Sequence, residues 1–170
     1  AAEVVSEIKN FAVEAGKGTV ATAGELTVEP GAANIVPGKV EFTVDIRSKD
    51  LGCIEEVREK IKNSLEEIKQ KYGVDFSIEN LLMVEPVELS PEIFSLFEEE
   101  VENQNFSYKK MISGAGHDAM IMSELTDVGL IFVPSRDGRS HCPEEWTDYD
   151  DLQKGIELIY NTILKLGESK

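Results

Sequence analysis

KVEFTVDIRSKDLGCIEEVREKIKNSLEEIKQKYG, residues 39–73, changes its hydrophobic period part-way along. Up to Arg47 the side chains alternate. Val40, Phe42, Val44 and Ile46 share one face, and Lys39, Glu41, Thr43, Asp45 and Arg47 share the other. That two-residue period is the mark of a half-buried strand. Beyond it, Ile54, Val57, Ile61, Leu65, Ile68 and Tyr72 recur every three or four residues, which predicts an amphipathic helix. Asp50 stands where an N-cap is needed and Gly73 where the helix should stop.

On the N-terminal side, GTVATAGELTVEP (18–30) reads as a second strand, and PGAANIVPG (30–38) is turn material between the two. Further upstream, Val4, Val5, Ile8, Phe11 and Ala12 fall on one helical face. No capping residue precedes that helix, so a preceding segment is expected. Downstream, VDFSIENLLMVEP (74–86) alternates at Val74, Phe76 and Ile78 and is predicted to be a strand. Helix, two strands, helix and strand describe an α+β unit with helices on one face of a mainly antiparallel sheet. Its expected end is near Glu88.

The remainder, 89–170, reads differently. SPEIFSLFEEEVENQ is a helix capped by Ser90 with Pro91 at its first position, and Ile93, Phe94, Phe97 and Val101 form its apolar face. Its acidic run, Glu98, Glu99, Glu100 and Glu102, is expected to be a solvated surface. GHDAMIMSEL reads as a short helix and VGLIFVPS as a buried strand. DDLQKGIELIYNTILKL reads as a closing helix with Leu152, Ile156, Ile159, Tyr160 and Ile163 inward. One strand cannot form a stable sheet. This half therefore needs a missing piece or a partner, and its uncovered apolar surface should make it self-associate.

A net charge of −16 argues against nucleic acid or an anionic membrane as a partner, since phosphate binding needs a basic patch. No apolar run approaches the length of a membrane helix. The two cysteines, Cys53 and Cys142, make no disulfide framework, and a cytoplasmic setting is expected.

Only two histidines are available for chemistry. His141, in DGRSHCPEEW, sits in a loop after a predicted strand, with the choice between a metal ligand and a plain surface side chain open. SGAGHDA places Gly114, Gly116 and His117 at a helix start, where backbone N–H groups could cradle a carboxylate or the glycines could simply permit a bend. Arg47, on the polar face at the strand end, could clamp a carboxylate bidentately, and the turn residue Asn34 could assist it. Equally, both could be ordinary surface residues. Counting limits the rest. A hydrolytic metal site needs at least three protein ligands and a base, and this chain has no HExxH or CxxC motif. At most part of an active site is encoded.

Together, GAANIVPG, FTVDIRS, SGAGHDA and GRSHCPEEWTD, in that order along nearly the whole chain, resemble the C-terminal half of the dinuclear-metal amidohydrolases. That family comprises N-carbamoyl-L-amino-acid hydrolase, allantoate amidohydrolase and β-ureidopropionase, relatives of metal-dependent aminoacylases and aminopeptidases. The resemblance implies that residues 1–88 are most of a lid, or dimerisation, domain lacking its N-terminal part. Residues 89–170 would then be the C-terminal portion of an α/β catalytic domain. It also implies that His141 is a metal ligand. By the same resemblance, Asn34 and Arg47 contact a small-molecule carboxylate substrate in a partner subunit's site, and Gly114, Gly116 and His117 line the pocket. Two divalent ions (zinc, manganese or nickel) would serve the complete enzyme. At most one ligand would come from this chain, and the general base would lie upstream. Cys142 stands where the family usually has serine. The chain alone is then expected to be inactive, as a homodimerising fragment. A related aminoacylase or metallopeptidase is the alternative parent.

Overall fold

The computed structural model describes residues 1–168, and the chain divides into one compact unit, Ala1–Pro86, and a second from Val87 onward. The first contains α1 (Ala2–Ala15), β1 (Val20–Glu29), β2 (Lys39–Arg47) and α2 (Leu51–Tyr72). Helical periodicity sets its core. Val4, Ile8 and Ala12 of α1 meet Val57, Ile61 and Ile68 of α2, with Phe42, Val44 and Ile46 of β2 packed against them. Val4, Ile8 and Val57 are sealed from water, each burial being worth roughly 1.5–3 kcal/mol for a side chain of this kind.

Both ends of α2 are fixed locally. The Asp50 carboxylate accepts from the Cys53 N–H at 3.3 Å, and Gly73, left-handed at φ 68°, donates to Lys69 O at 2.9 Å. The predicted cap and stop are both present. Strands β1 and β2 form an antiparallel hairpin in which Val20 pairs with Arg47 and Glu29 with Lys39. The register breaks between Ala23 and Leu26. A Cβ at Gly24 would stand 2.8 Å from Thr43 Oγ1, and that hydroxyl accepts from the Glu25 N–H at 3.0 Å. Glycine is thus required for the irregularity to close on the neighbouring strand.

The expected third strand is not formed. Among the described residues the sheet has two strands, and 74–86 makes no ladder. Val74, Ile78, Leu81, Leu82, Met83 and Val84 are all exposed. Alternation marks a segment with two faces, but a strand exists only when a neighbour takes its N–H and C=O groups. Among the described residues no neighbour does so.

The second unit contains α3 (Pro91–Asn103), α4 (Asp118–Met122), a 3-10 turn (Arg136–Gly138) and α5 (Tyr149–Glu168). Ser90 caps α3, and its own N–H donates to Val128 O at 3.1 Å. Segment 128–135 is the predicted buried strand. It packs against α3 and α5 instead, as a half-buried run that joins no sheet among the described residues. Gly129 sits so close to α3 that a Cβ would be 2.4 Å from both Ile93 Cγ2 and Phe97 Cε2. At the other end Val133 meets Gly155 of α5.

Helix α5 corrects a second expectation. Its buried residues are Leu158 and Thr162, while Leu152, Ile156, Ile159, Tyr160 and Ile163 are exposed. The cause is chemical: Gly155 admits Val133, and Lys165 reaches Glu99 and Glu100 of α3. The acidic run is therefore not all solvated surface. Glu100 is only 5% exposed, and Lys165 holds its carboxyl below the usual carboxylate range.

Candidate functional site

In the first unit, β2 ends on Arg47, and the hairpin turn carries Asn34. Both are exposed. The guanidinium already grips a carboxylate: Arg47 Nη2 donates to Asp45 Oδ2 at 2.6 Å, and Nε donates to both Asp45 oxygens at 3.1 Å. That pairing holds the Asp45 carboxyl below its ordinary range and raises Arg47. The two residues lie two apart on β2 and so share one face. The hairpin does not bring Asn34 to Arg47. Asn34 is in the turn between Glu29 and Lys39, and Arg47 pairs with Val20 at the other end. Roughly 27 Å of strand separates Lys39 from Arg47 at about 3.4 Å per residue.

In the second unit, His117 stands at the N-cap position of the short helix α4 in extended backbone, and its side chain makes no cap bond. Its Nε2 lies 2.7 Å from Ser113 Oγ, and its ring meets Phe132 edge-on with centroids 5.5 Å apart. Between Ser113 and His117, the Ala115 N–H donates to Ser113 Oγ at 3.2 Å, closing a tight loop. Gly114 and Gly116 are exposed on that loop. Neither has a left-handed φ, and a Cβ on Gly114 would meet nothing within 4 Å. They leave the backbone approachable and are not forced by the bend. Sequence reasoning missed Ser113, whose signal was its place four residues before His117.

His141 is exposed at the tip of a closed loop. The Arg136 N–H donates to Trp146 O at 2.7 Å, joining the two arms. Asp148 Oδ1 accepts from both Trp146 Nε1 and Arg136 Nη2 at 3.0 Å, and the Arg136 guanidinium lies 5.8 Å from the indole ring. At the tip, the His141 N–H donates to Glu145 Oε2 at 2.8 Å. His141 adopts φ 59°, an uncommon left-handed conformation for a residue with a Cβ. In the sequence Glu145 is only a neighbour of His141. Its role in holding the loop cannot be read from spacing.

Among the described residues, no three or more His, Cys, Asp and Glu side chains come together where they could hold a metal ion. His141 alone is an insufficient donor set, because a zinc centre takes at least three protein ligands. The described residues do not by themselves fit a metal centre.

Residues 3–165 match the family model described as Peptidase family M20/M25/M40. The chain is 42% identical over 166 residues to an N-carbamoyl-L-amino-acid amidohydrolase of Paenarthrobacter aurescens, spanning 98% of this chain and 40% of that protein. It is 34% identical to an allantoate amidohydrolase of Bacillus subtilis, over 86% of this chain and 35% of the relative. Among solved structures, a hydantoinase/carbamoylase-family amidase from Burkholderia multivorans superposes with a TM-score of 0.88 at 26% identity, over 96% of this chain and 40% of that one. The chain thus spans about 40% of the length of the relatives it matches. The α+β hairpin unit and the second, helical unit both fall within the matched residues, and the chain belongs to peptidase family M20/M25/M40.

Proposed function

We propose that this chain is part of an amidohydrolase that cleaves the ureido C–N bond of an N-carbamoyl-L-amino acid or an allantoate-like compound. Water consumes the ureido group, giving the amino compound, carbon dioxide and ammonia. The 42% identity to an N-carbamoyl-L-amino-acid amidohydrolase across 98% of the chain carries this reading. Two divalent ions (zinc, manganese or nickel) and the general base belong to the complete enzyme, and His141 is the one ligand assigned to this chain.

The chain's own residues bind and orient. Arg47 is assigned to the substrate carboxylate, exchanging Asp45 for it. Both partners are about half exposed, at 52% and 54%, so that exchange costs little. It also gives an anionic substrate a local cation in a chain of net charge −16. Asn34, at the other end of the hairpin, cannot serve the same carboxylate from the same strand end. Homodimerisation through residues 1–88 supplies a second copy of each. Gly114, Gly116 and His117 line the pocket.

A second reading rests on there being only two histidines in the sequence: the isolated chain is a non-catalytic dimerisation module. Steady-state assays of the full-length parent with N-carbamoyl, allantoate and N-acyl substrates test the main reading. Carbamoyl or allantoate turnover well above acyl turnover is expected. Preferred acyl or peptide cleavage would make it an aminoacylase or peptidase instead.

A further inference from the structure

The loop between Ser113 and His117 brings three groups to one hydroxyl oxygen. Ser113 Oγ lies 3.0 Å from Ala115 O, 3.2 Å from Ala115 N and 2.7 Å from His117 Nε2. A serine hydroxyl has one proton to give and two lone pairs to receive. The Ala115 amide can only donate and its carbonyl can only accept. If the single hydroxyl proton goes to the carbonyl, one lone pair takes the Ala115 N–H, and the other is left for His117. His117 Nε2 must then carry a proton. No other assignment makes all three bonds. The opposite tautomer would leave Ala115 O without its partner.

The consequence lies on the other ring nitrogen. In the neutral ring, Nδ1 is then a bare acceptor. It has no hydrogen-bond partner among the described residues, and it is not among the buried atoms lacking one, so solvent reaches it. The T-shaped contact with Phe132 adds a second restraint on the ring.

We propose that Ser113 is a positioning residue that holds His117 as its Nε2–H tautomer, so that Nδ1 offers an acceptor to an N–H group of the bound substrate. This rests on the reading above, in which the loop lines the pocket for a ureido compound rich in N–H donors. The tautomer itself does not depend on that reading.

Two measurements on the full-length parent separate the claims. Nitrogen-15 NMR of the histidine side chains, recorded at the alkaline plateau of their pH titration, should show His117 with a protonated Nε2 and an unprotonated Nδ1. An Nδ1–H tautomer, or an even mixture, would overturn the proposal whatever the enzyme hydrolyses. In kinetics, Ser113→Ala should mix the tautomers and raise KM for the ureido substrate about fivefold, the worth of one ordinary hydrogen bond, with a smaller change in kcat. Ser113→Thr, which keeps the hydroxyl, should restore both. An unchanged KM in Ser113→Ala, or a Ser113→Thr as impaired as Ser113→Ala, would sink the substrate contact. A correct tautomer in a parent that cleaves only acyl substrates would sink the ureido donor while leaving the role of Ser113 standing.

Discussion

Arg47 shows how a residue can be legible in type and still surprising in its company. Its place on the polar face at the end of β2 is dictated by simple alternation, but its grip on Asp45 is not, because spacing says nothing about which carboxylate a guanidinium will choose. Replacing it by lysine in the full-length enzyme removes the planar fork and keeps the charge. KM for the carboxylate substrate should rise about 10- to 100-fold, the range for losing a charge-assisted bond, while Asp45→Ala should leave KM equal or lower. The Asp45–Arg47 pair also carries a pH signature. Because the folded Asp45 carboxyl is held down by Arg47, the pair's stabilisation is fully present above the unfolded carboxyl value of about 4. It is lost as pH falls through the lowered folded value. With both partners half exposed it is worth at most about 1 kcal/mol. Denaturation midpoints of wild type and Asp45→Asn should therefore differ slightly at neutral pH and converge in acid.

Among the elements, helices are legible where their partner lies in this chain. Helices α1 and α2 bury most of the faces their periodicity predicts, except that Tyr72, in the last turn of α2, is exposed with its hydroxyl on Glu3; Asp50, Gly73 and Ser90 sit at the ends assigned to them. Helix α5 defeats the same reasoning because its sequence has an apolar stripe with no described partner. The packed face is instead made by Gly155, Leu158, Thr162 and Lys165, two of them small and one charged. Segments 74–86 and 128–135 fail as strands for a related reason, since alternation cannot supply a neighbouring edge. Two substitutions test the packing. Gly129→Ala drives a methyl into Ile93 and Phe97 and should cost about 1–3 kcal/mol in chemical denaturation, as overpacking does. Lys165→Ala strands the buried Glu100, so it should lower the midpoint clearly more than Lys154→Ala, whose Asp151 partner lies on the same helix. Equal effects would contradict a structural role for the Lys165 pair.

For the whole molecule, the feature that bears on association is uncovered apolar surface. The described residues hold no metal-binding group, and Ile156 and Ile163 of α5 are 66% and 60% exposed. The isolated chain should self-associate in sedimentation experiments, and Ile156→Glu with Ile163→Glu should shift it toward smaller species. The decisive experiment is turnover of an N-carbamoyl-L-amino acid, measured side by side for the full-length parent and for these 170 residues with added divalent metal. Hydrolysis by the parent and none by the isolated chain is the expected result. Turnover by the isolated chain, or its absence from both, would show that this chain is not the incomplete part of an amidohydrolase.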